Sequence, residues 1–206
     1  MIRVKKIAHA VYEMPDVEKQ TEYYTDVIGL TVTDKSKDAV YLAHTIDHHA
    51  VVLRKGSEAK CVRLGFQIEP DDDLGAFERQ TAAHGIKTLV KKDSEPTISE
   101  LVSFEDPKGT VIEVFRQPEM LTQKFQRKGI VPHKLGHVAF HVTDVKAVTK
   151  FYCDVLGFQR DAVDAKGWSF LSRDAFKLML GECADEVPAA DTDGHRLMFA
   201  ERIASP

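Results

Sequence analysis

Long apolar runs are missing from this chain of 206 residues, and no stretch approaches the roughly 20 residues that a membrane span needs. No transmembrane anchor is therefore expected. The opening MIRVKKIAHAVYEMPD carries charge but no apolar stretch of signal-peptide length, so a cytoplasmic location is expected. Cysteine is scarce. Cys61, Cys153 and Cys183 are odd in number, far apart and in no CxxC pair. That argues against a disulfide framework or a thiolate zinc site and for a reducing compartment. An excess of one charge is missing as well. The 28 Lys and Arg against 32 Asp and Glu leave a formal charge of −4, which gives no general pull toward nucleic acid or an anionic membrane. No G-x-S-x-G and no glycine-rich phosphate loop occurs, which leaves no basis for a serine nucleophile or a phosphate cradle.

What the chain does have is a repeat. Residues 7–30 read IAHAVYEMPDVEKQTEYYTDVIGL and residues 135–158 read LGHVAFHVTDVKAVTKFYCDVLGF. At an offset of 128, His9 falls on His137, Asp16 on Asp144, Tyr24 on Tyr152 and Gly29 on Gly157. Such self-similarity sets the architecture before any single residue is given a role. Each copy opens with an alternating stretch. Ile7, His9, Val11 and Glu13 share one predicted face, and so do His137, Ala139 and His141. An Asp suited to N-cap a helix follows, then an apolar helical stripe, then a glycine where a helix would close.

Short strands are expected at Leu30–Asp34, Ala39–His44 and Ala50–Arg54, giving the order βαβββ. A second unit of that order begins at Cys61. Its helix starts after Asp71–Asp73, and its strands are Lys87–Lys92, Ser99–Phe104 and Thr110–Arg116. The predicted fold is therefore α+β, built of tandem βαβββ units. Residues 1–118 form an N-terminal domain of two units, 119–134 a basic linker with Pro132, and 135–206 a C-terminal domain holding one unit plus a closing strand. A fourth unit of equal size does not fit in the 24 residues after Glu182. The segment Asp191–Phe199 aligns two ways: with the turn and last strand of unit two (Asp106–Val114), or with its first strand (Val62–Phe66). The Asp-x-x-Gly turn favours the former, which puts Met198 at the position of Glu113.

These opening strands, the helix ends YYTDVIGL and FYCDVLGF, and the closing strands DPKGTVIEVF and DTDGHRLMF resemble the vicinal oxygen chelate superfamily. That superfamily includes glyoxalase I, bleomycin-resistance proteins and extradiol ring-cleavage dioxygenases. Residues 1–159 resemble a two-domain extradiol dioxygenase, and the remainder looks more like the small glyoxalase and bleomycin-resistance proteins. The resemblance implies Fe(II), or another divalent metal, held by two His and one Glu, with open positions for a catecholate and O₂. It implies His9, Glu113 and His137 as metal ligands and His49 as the acid/base histidine. In the C-terminal half the acid/base position falls on Phe176. In the N-terminal half the second ligand position falls on Arg63, which cannot ligate a metal. An Arg63–Glu113 ion pair closing the site is the competing reading of those residues. The residues themselves favour polarity at a loop end for the His48-His49 pair over catalysis, and His195 reads as a solvent-exposed turn residue.

Two functions of different class follow. One is a metal-dependent extradiol-type dioxygenase that cleaves a catechol-like aromatic ring with O₂. The other is a metal-free protein that sequesters a planar aromatic ligand, or a non-catalytic hybrid, with Trp168, Phe170 and Phe176 lining the cavity. The expected ligand in either case is a small aromatic molecule. An unfinished unit leaves open sheet edges, so a homo-oligomer is expected.

Overall fold

The computed structural model describes residues 1–45, 47–122, 128–164, 167–173, 176–182 and 197–199. His195 and Cys183 lie outside them. The first unit consists of β1 (Lys6–Met14), α1 (Val17–Tyr23), β2 (Thr31–Lys35), β3 (Ala39–Ala43) and β4 (Val51–Lys55). The second consists of β5 (Lys60–Gln67), α2 (Leu74–Ala82), β6 (Leu89–Glu95), β7 (Ile98–Glu105) and β8 (Val111–Phe115). The third consists of β9 (Leu135–Val142), α3 (Val145–Asp154), β10 (Gln159–Val163), β11 (Ser169–Arg173) and β12 (Phe176–Glu182), and β13 (Leu197–Phe199) follows it. The βαβββ order read from the sequence is thus present three times.

The caps follow the repeat. Asp16 accepts from the Lys19 N–H at 3.0 Å and Asp144 from the Ala147 N–H at 2.9 Å. Each satisfies one of the N–H groups that a helix start leaves without a partner. In unit one α1 passes into a π-helical turn, Tyr24–Ile28, which closes at Gly29 in the left-handed region (φ 86°). A side chain at Gly29 would run into the Lys128 carbonyl, because the linker lies across this turn. Ile130 and Val131 donate their N–H groups to the carbonyls of Val27 and Ile28 at 3.1 and 2.9 Å.

Units one and two form one eight-stranded sheet in the order β2-β3-β4-β1-β5-β8-β7-β6. The third unit forms a second sheet, β10-β11-β12-β9-β13. In each unit the opening strand pairs in parallel with the fourth: β1 with β4, β5 with β8, β9 with β12. The two first strands, β1 and β5, pair antiparallel. β13 pairs antiparallel with β9, with Leu197 opposite Val138 and Met198 opposite His137. That is the β5-to-β1 arrangement, in which Leu64 faces Ala10 and Gly65 faces His9. A closing strand would instead run parallel to an opening strand, as β8 does. The favoured alignment of the tail is therefore corrected. β13 takes the place of a first strand, and Met198 stands at the position of Gly65, not of Glu113.

Burial corrects a second expectation. β1 is buried on both faces, and a register shift lies between Ile7 and His9. The bulge turns Ile7 to the helix side, where it joins Ala10 and Tyr12, so it does not share the face of His9. The helix-side core is continuous through all three units. Phe66 of β5 meets Phe158 and Phe176 of unit three, and Phe104 meets Phe151. Unit three is therefore seated on the outer face of the first two. Tyr152, fully buried, donates its hydroxyl to Asp106 at 3.0 Å across that seam.

Candidate functional site

The inner face of the first sheet collects charge. Gly65 of β5 is the register partner both of His9 on β1 and of Glu113 on β8. A Cβ at Gly65 would fall inside the His9 imidazole. The glycine thus opens the gap across which His9 Nε2 and Glu113 Oε2 approach to 3.6 Å, beyond a hydrogen bond but within ion-pair range. Arg63, two residues back along β5, brings Nη1 to 3.1 Å from Glu113 Oε1, and Lys91 Nζ stands 3.6 Å from the same oxygen. Arg63 also pairs with Glu95, and Arg54 Nη2 lies 3.6 Å from that carboxylate. Glu113 has no exposed surface. Burial alone would raise its pKa, but His9, Arg63 and Lys91 more than offset that and hold it below the ordinary carboxylate value. Neither Glu113 oxygen has an aligned hydrogen bond.

His49 joins this chamber. Its ring centroid is 4.7 Å from that of His9, its Nδ1 is 2.9 Å from His48 Nδ1, and its Nε2 has no partner. Both histidines are buried, so the reading of loop-end polarity is corrected. Burial, then the neighbouring His9 and His48, push the pKa of His49 well below the usual imidazole value, so it is neutral near pH 7. A proton shared between the two Nδ1 atoms requires one ring to donate and the other to accept. Lys91, Glu95 and Arg54 were not singled out from the sequence. From Lys91 to Glu95 β6 is polar at every position, which gives no inside or outside. A register shift lies between Lys92 and Glu95, with Asp93 at φ 47°, and Glu95 at the end of the strand is buried.

His137 stands at the same position on β9 but in other surroundings. Its strand neighbours alternate: Val138, Phe140 and Val142 are buried against the helix side, whereas His137 and Ala139 are half-buried and His141 is exposed on the opposite face. Lys177 and Met179 are their register partners on β12. Burial and then Lys177 lower the pKa of His137, which keeps its ring neutral. His141 meets Trp168 edge-on at 5.3 Å. Phe176 does not line this face; it is buried among Phe66 and Phe158. The register bears out its equivalence to His49: Val51 pairs with Ala10 and Leu178 with Val138.

The structure thus brings His9, His49 and Glu113 together and leaves His137 apart. Among the described residues no group of three or more His, Cys, Asp or Glu side chains is arranged to hold a metal ion. In the N-terminal chamber the reason is on view. The third donor position is an arginine, and two cations already flank the carboxylate. The residues there do not fit a metal centre.

A sequence profile of the glyoxalase/bleomycin resistance protein/dioxygenase superfamily matches residues 6–114 and 134–202. The chain belongs to this superfamily. It is 26% identical over 170 residues to an iron-dependent extradiol dioxygenase of Rhodococcus jostii (strain RHA1), covering 78% of this chain and 57% of that protein. It is 22% identical over 171 residues to a manganese-dependent 2,3-dihydroxybiphenyl 1,2-dioxygenase of Geobacillus genomosp. 3, covering 76% of this chain and 54% of that protein. The chain therefore spans little more than half the length of these curated relatives. Its fold matches that of the 2,3-dioxygenase LapB from Pseudomonas sp. KL28, with a TM-score of 0.78 over 90% of this chain and 73% of that one at 22% identity. Among the described residues no helix is long and apolar enough to cross a membrane.

Proposed function

We propose that this protein serves a metal-dependent, extradiol-type dioxygenase reaction on a catechol-like aromatic, and that the unit carrying His137 is the half concerned. One observation carries the choice of half. The repeat offers the same histidine twice: His9 is sealed in beside Arg63 and Lys91, whereas His137 stands on a half-open face with a neutral ring. A metal ligand must be neutral imidazole or carboxylate and reachable. Of the two repeat histidines His137 is the one on a half-open face, with Lys177 beside it on β12, and a divalent metal, when bound, would supply charge stabilisation for a catecholate. Iron and manganese both occur among the relatives, so Fe(II) is proposed with Mn(II) as the alternative. A soluble cytoplasmic protein and an oligomer that covers the open face belong to the same proposal.

The second reading, a metal-free binder of planar aromatics, draws on the absence of a three-donor group among the described residues and on Trp168 beside that face. Anaerobic loading with Fe(II) or Mn(II), followed by metal-to-chain stoichiometry, separates the two. The dioxygenase reading expects retained metal that His137→Ala removes and His9→Ala leaves, with catechol-dependent oxygen uptake. Retention of metal in both variants, or in neither form of the protein, overturns it. Catechol binding without metal would then establish the second.

A further inference from the structure

The N-terminal chamber is built around a positive charge, and we infer that this charge is tethered: Arg63, supported by Lys91, does the electrostatic work that a bound divalent cation would do between His9 and Glu113. Four observations converge on it. Glu113 has no exposed surface, so its carboxyl group requires a partner in place. Two monovalent cations, at 3.1 and 3.6 Å, provide two positive charges against one of its oxygens. The polar atoms that face the chamber, His9 Nε2, His49 Nε2 and both Glu113 oxygens, are left without aligned hydrogen bonds, as atoms shaped for some other partner would be. Finally, the guanidinium is itself held in place by Glu95, so it does not swing out to vacate the space.

The cavity beside His9, His48 and His49 is only about 10 Å³, room for a single water and not for a substrate. The ion network fixes β1, β5 and β8 against one another, with His9 and Glu113 buried and Arg63 and Lys91 partly exposed. It also holds a latent cation site, one side chain away from a complete donor set. Arg63→His would place a third neutral donor on the strand between His9 and Glu113 and would remove the competing charge. The inference stands apart from the proposed reaction, which concerns the other half of the molecule.

Cobalt(II) alone is the probe, with binding followed by its visible absorption and by calorimetry. The full-length chain carries His137→Ala throughout, so that the third unit contributes nothing. The parent is expected to take up no cobalt that depends on His9 or Glu113. Arg63→His is expected to gain one site per chain, at least tenfold tighter than any in the parent, and to lose it when His9→Ala or Glu113→Gln is added. A parent site that His9→Ala removes would overturn the inference, and so would a folded Arg63→His protein with no new site. Where Arg63→His does not fold, Arg63→Gln decides. Its melting temperature is expected to fall and cobalt to raise it again, with no such rise in the parent; a melting temperature that cobalt leaves unmoved also overturns the inference.

Discussion

His9 and His137 descend from one sequence pattern and occupy one position in the fold, yet one is sealed and the other is not. The difference comes from what each opening strand has beside it. Next to β1 runs β5, with Gly65 opposite His9 and Arg63 on the same face, backed by β8 with Glu113. Next to β9 runs β13, with Met198 opposite His137 and a lysine, Lys177, on the other flank. A glycine at the register partner opens space for His9 to meet a carboxylate. The same scaffold position is therefore a sealed side chain beside an ion network in one half and a half-open side chain in the other.

The contrast is broken most strongly by removing Glu113. Truncation to alanine removes the carboxylate that Arg63 and Lys91 share; both cations are partly exposed and Arg63 keeps Glu95, so the loss is that of charge-assisted contacts, about 1.5–3 kcal/mol. His137→Ala, on a half-open face and outside any ion network among the described residues, is expected to change stability by about 0.5 kcal/mol or less. Denaturant unfolding of the two variants measures the difference directly. The double change Glu113→Leu with Arg63→Met should recover only part of the loss, since it also takes Arg63 from the buried Glu95, which keeps Arg54 at 3.6 Å. Equal losses in the two single variants would remove the distinction between the halves.

Acid sharpens the same contrast. Burial lowers the pKa of His44 to about 4, and burial also lowers those of His48 and His49. An unfolded histidine titrates near 6.5, so the unfolded state binds more protons between there and the depressed folded value. Stability is therefore greatest above pH 6.5 and falls as pH drops toward 4, by up to about 1.4 kcal/mol per pH unit for each such group. Glu113, with its folded pKa below the usual value, adds its loss lower still, as pH falls through that folded pKa. Chemical denaturation at pH 7.5, 6 and 5 tests this, with His44→Phe flattening part of the slope. A stability flat from pH 7.5 to 5 would mean that the buried histidines are charged or that they leave the core before unfolding.

The repeat made the fold legible. The offset of 128 carried the cap Asp and the closing glycine, and each is where local chemistry put it, whereas of the apolar helix residues in unit one Tyr23 and Val27 are exposed. What it did not carry was pairing. Whether Met198 belongs to a first or a last strand depends on which neighbour it bonds to, and a short apolar strand fits both alignments. The site was half legible. Arg63 and Glu113 were read as a closing pair because their positions in the repeat imply proximity. Lys91 and Glu95 escape notice because from Lys91 onward β6 is polar at every position, so no apolar alternation marks its inner face. Ile7 is misassigned because a one-residue bulge exchanges the two faces of β1.

The smallest expected effect tests whether the two regions are separable at all. Tyr152 on α3 donates to Asp106 Oδ2, whose other oxygen already accepts the N–H groups of Lys108 and Thr110 at 3.0 and 2.8 Å. Tyr24, its counterpart in unit one, makes no hydrogen bond through its hydroxyl among the described residues. Tyr152→Phe should cost about 1–1.5 kcal/mol, because the carboxylate keeps its backbone donors and loses one of three partners. Tyr24→Phe should cost close to nothing. The shape of the transition matters more than its midpoint. The apolar core runs unbroken from Phe66 to Phe158 and Phe176 across the same seam, so the variant should still unfold in one step. Two resolved transitions would mean that this hydrogen bond, and not the shared core, couples the sealed half to the half-open one.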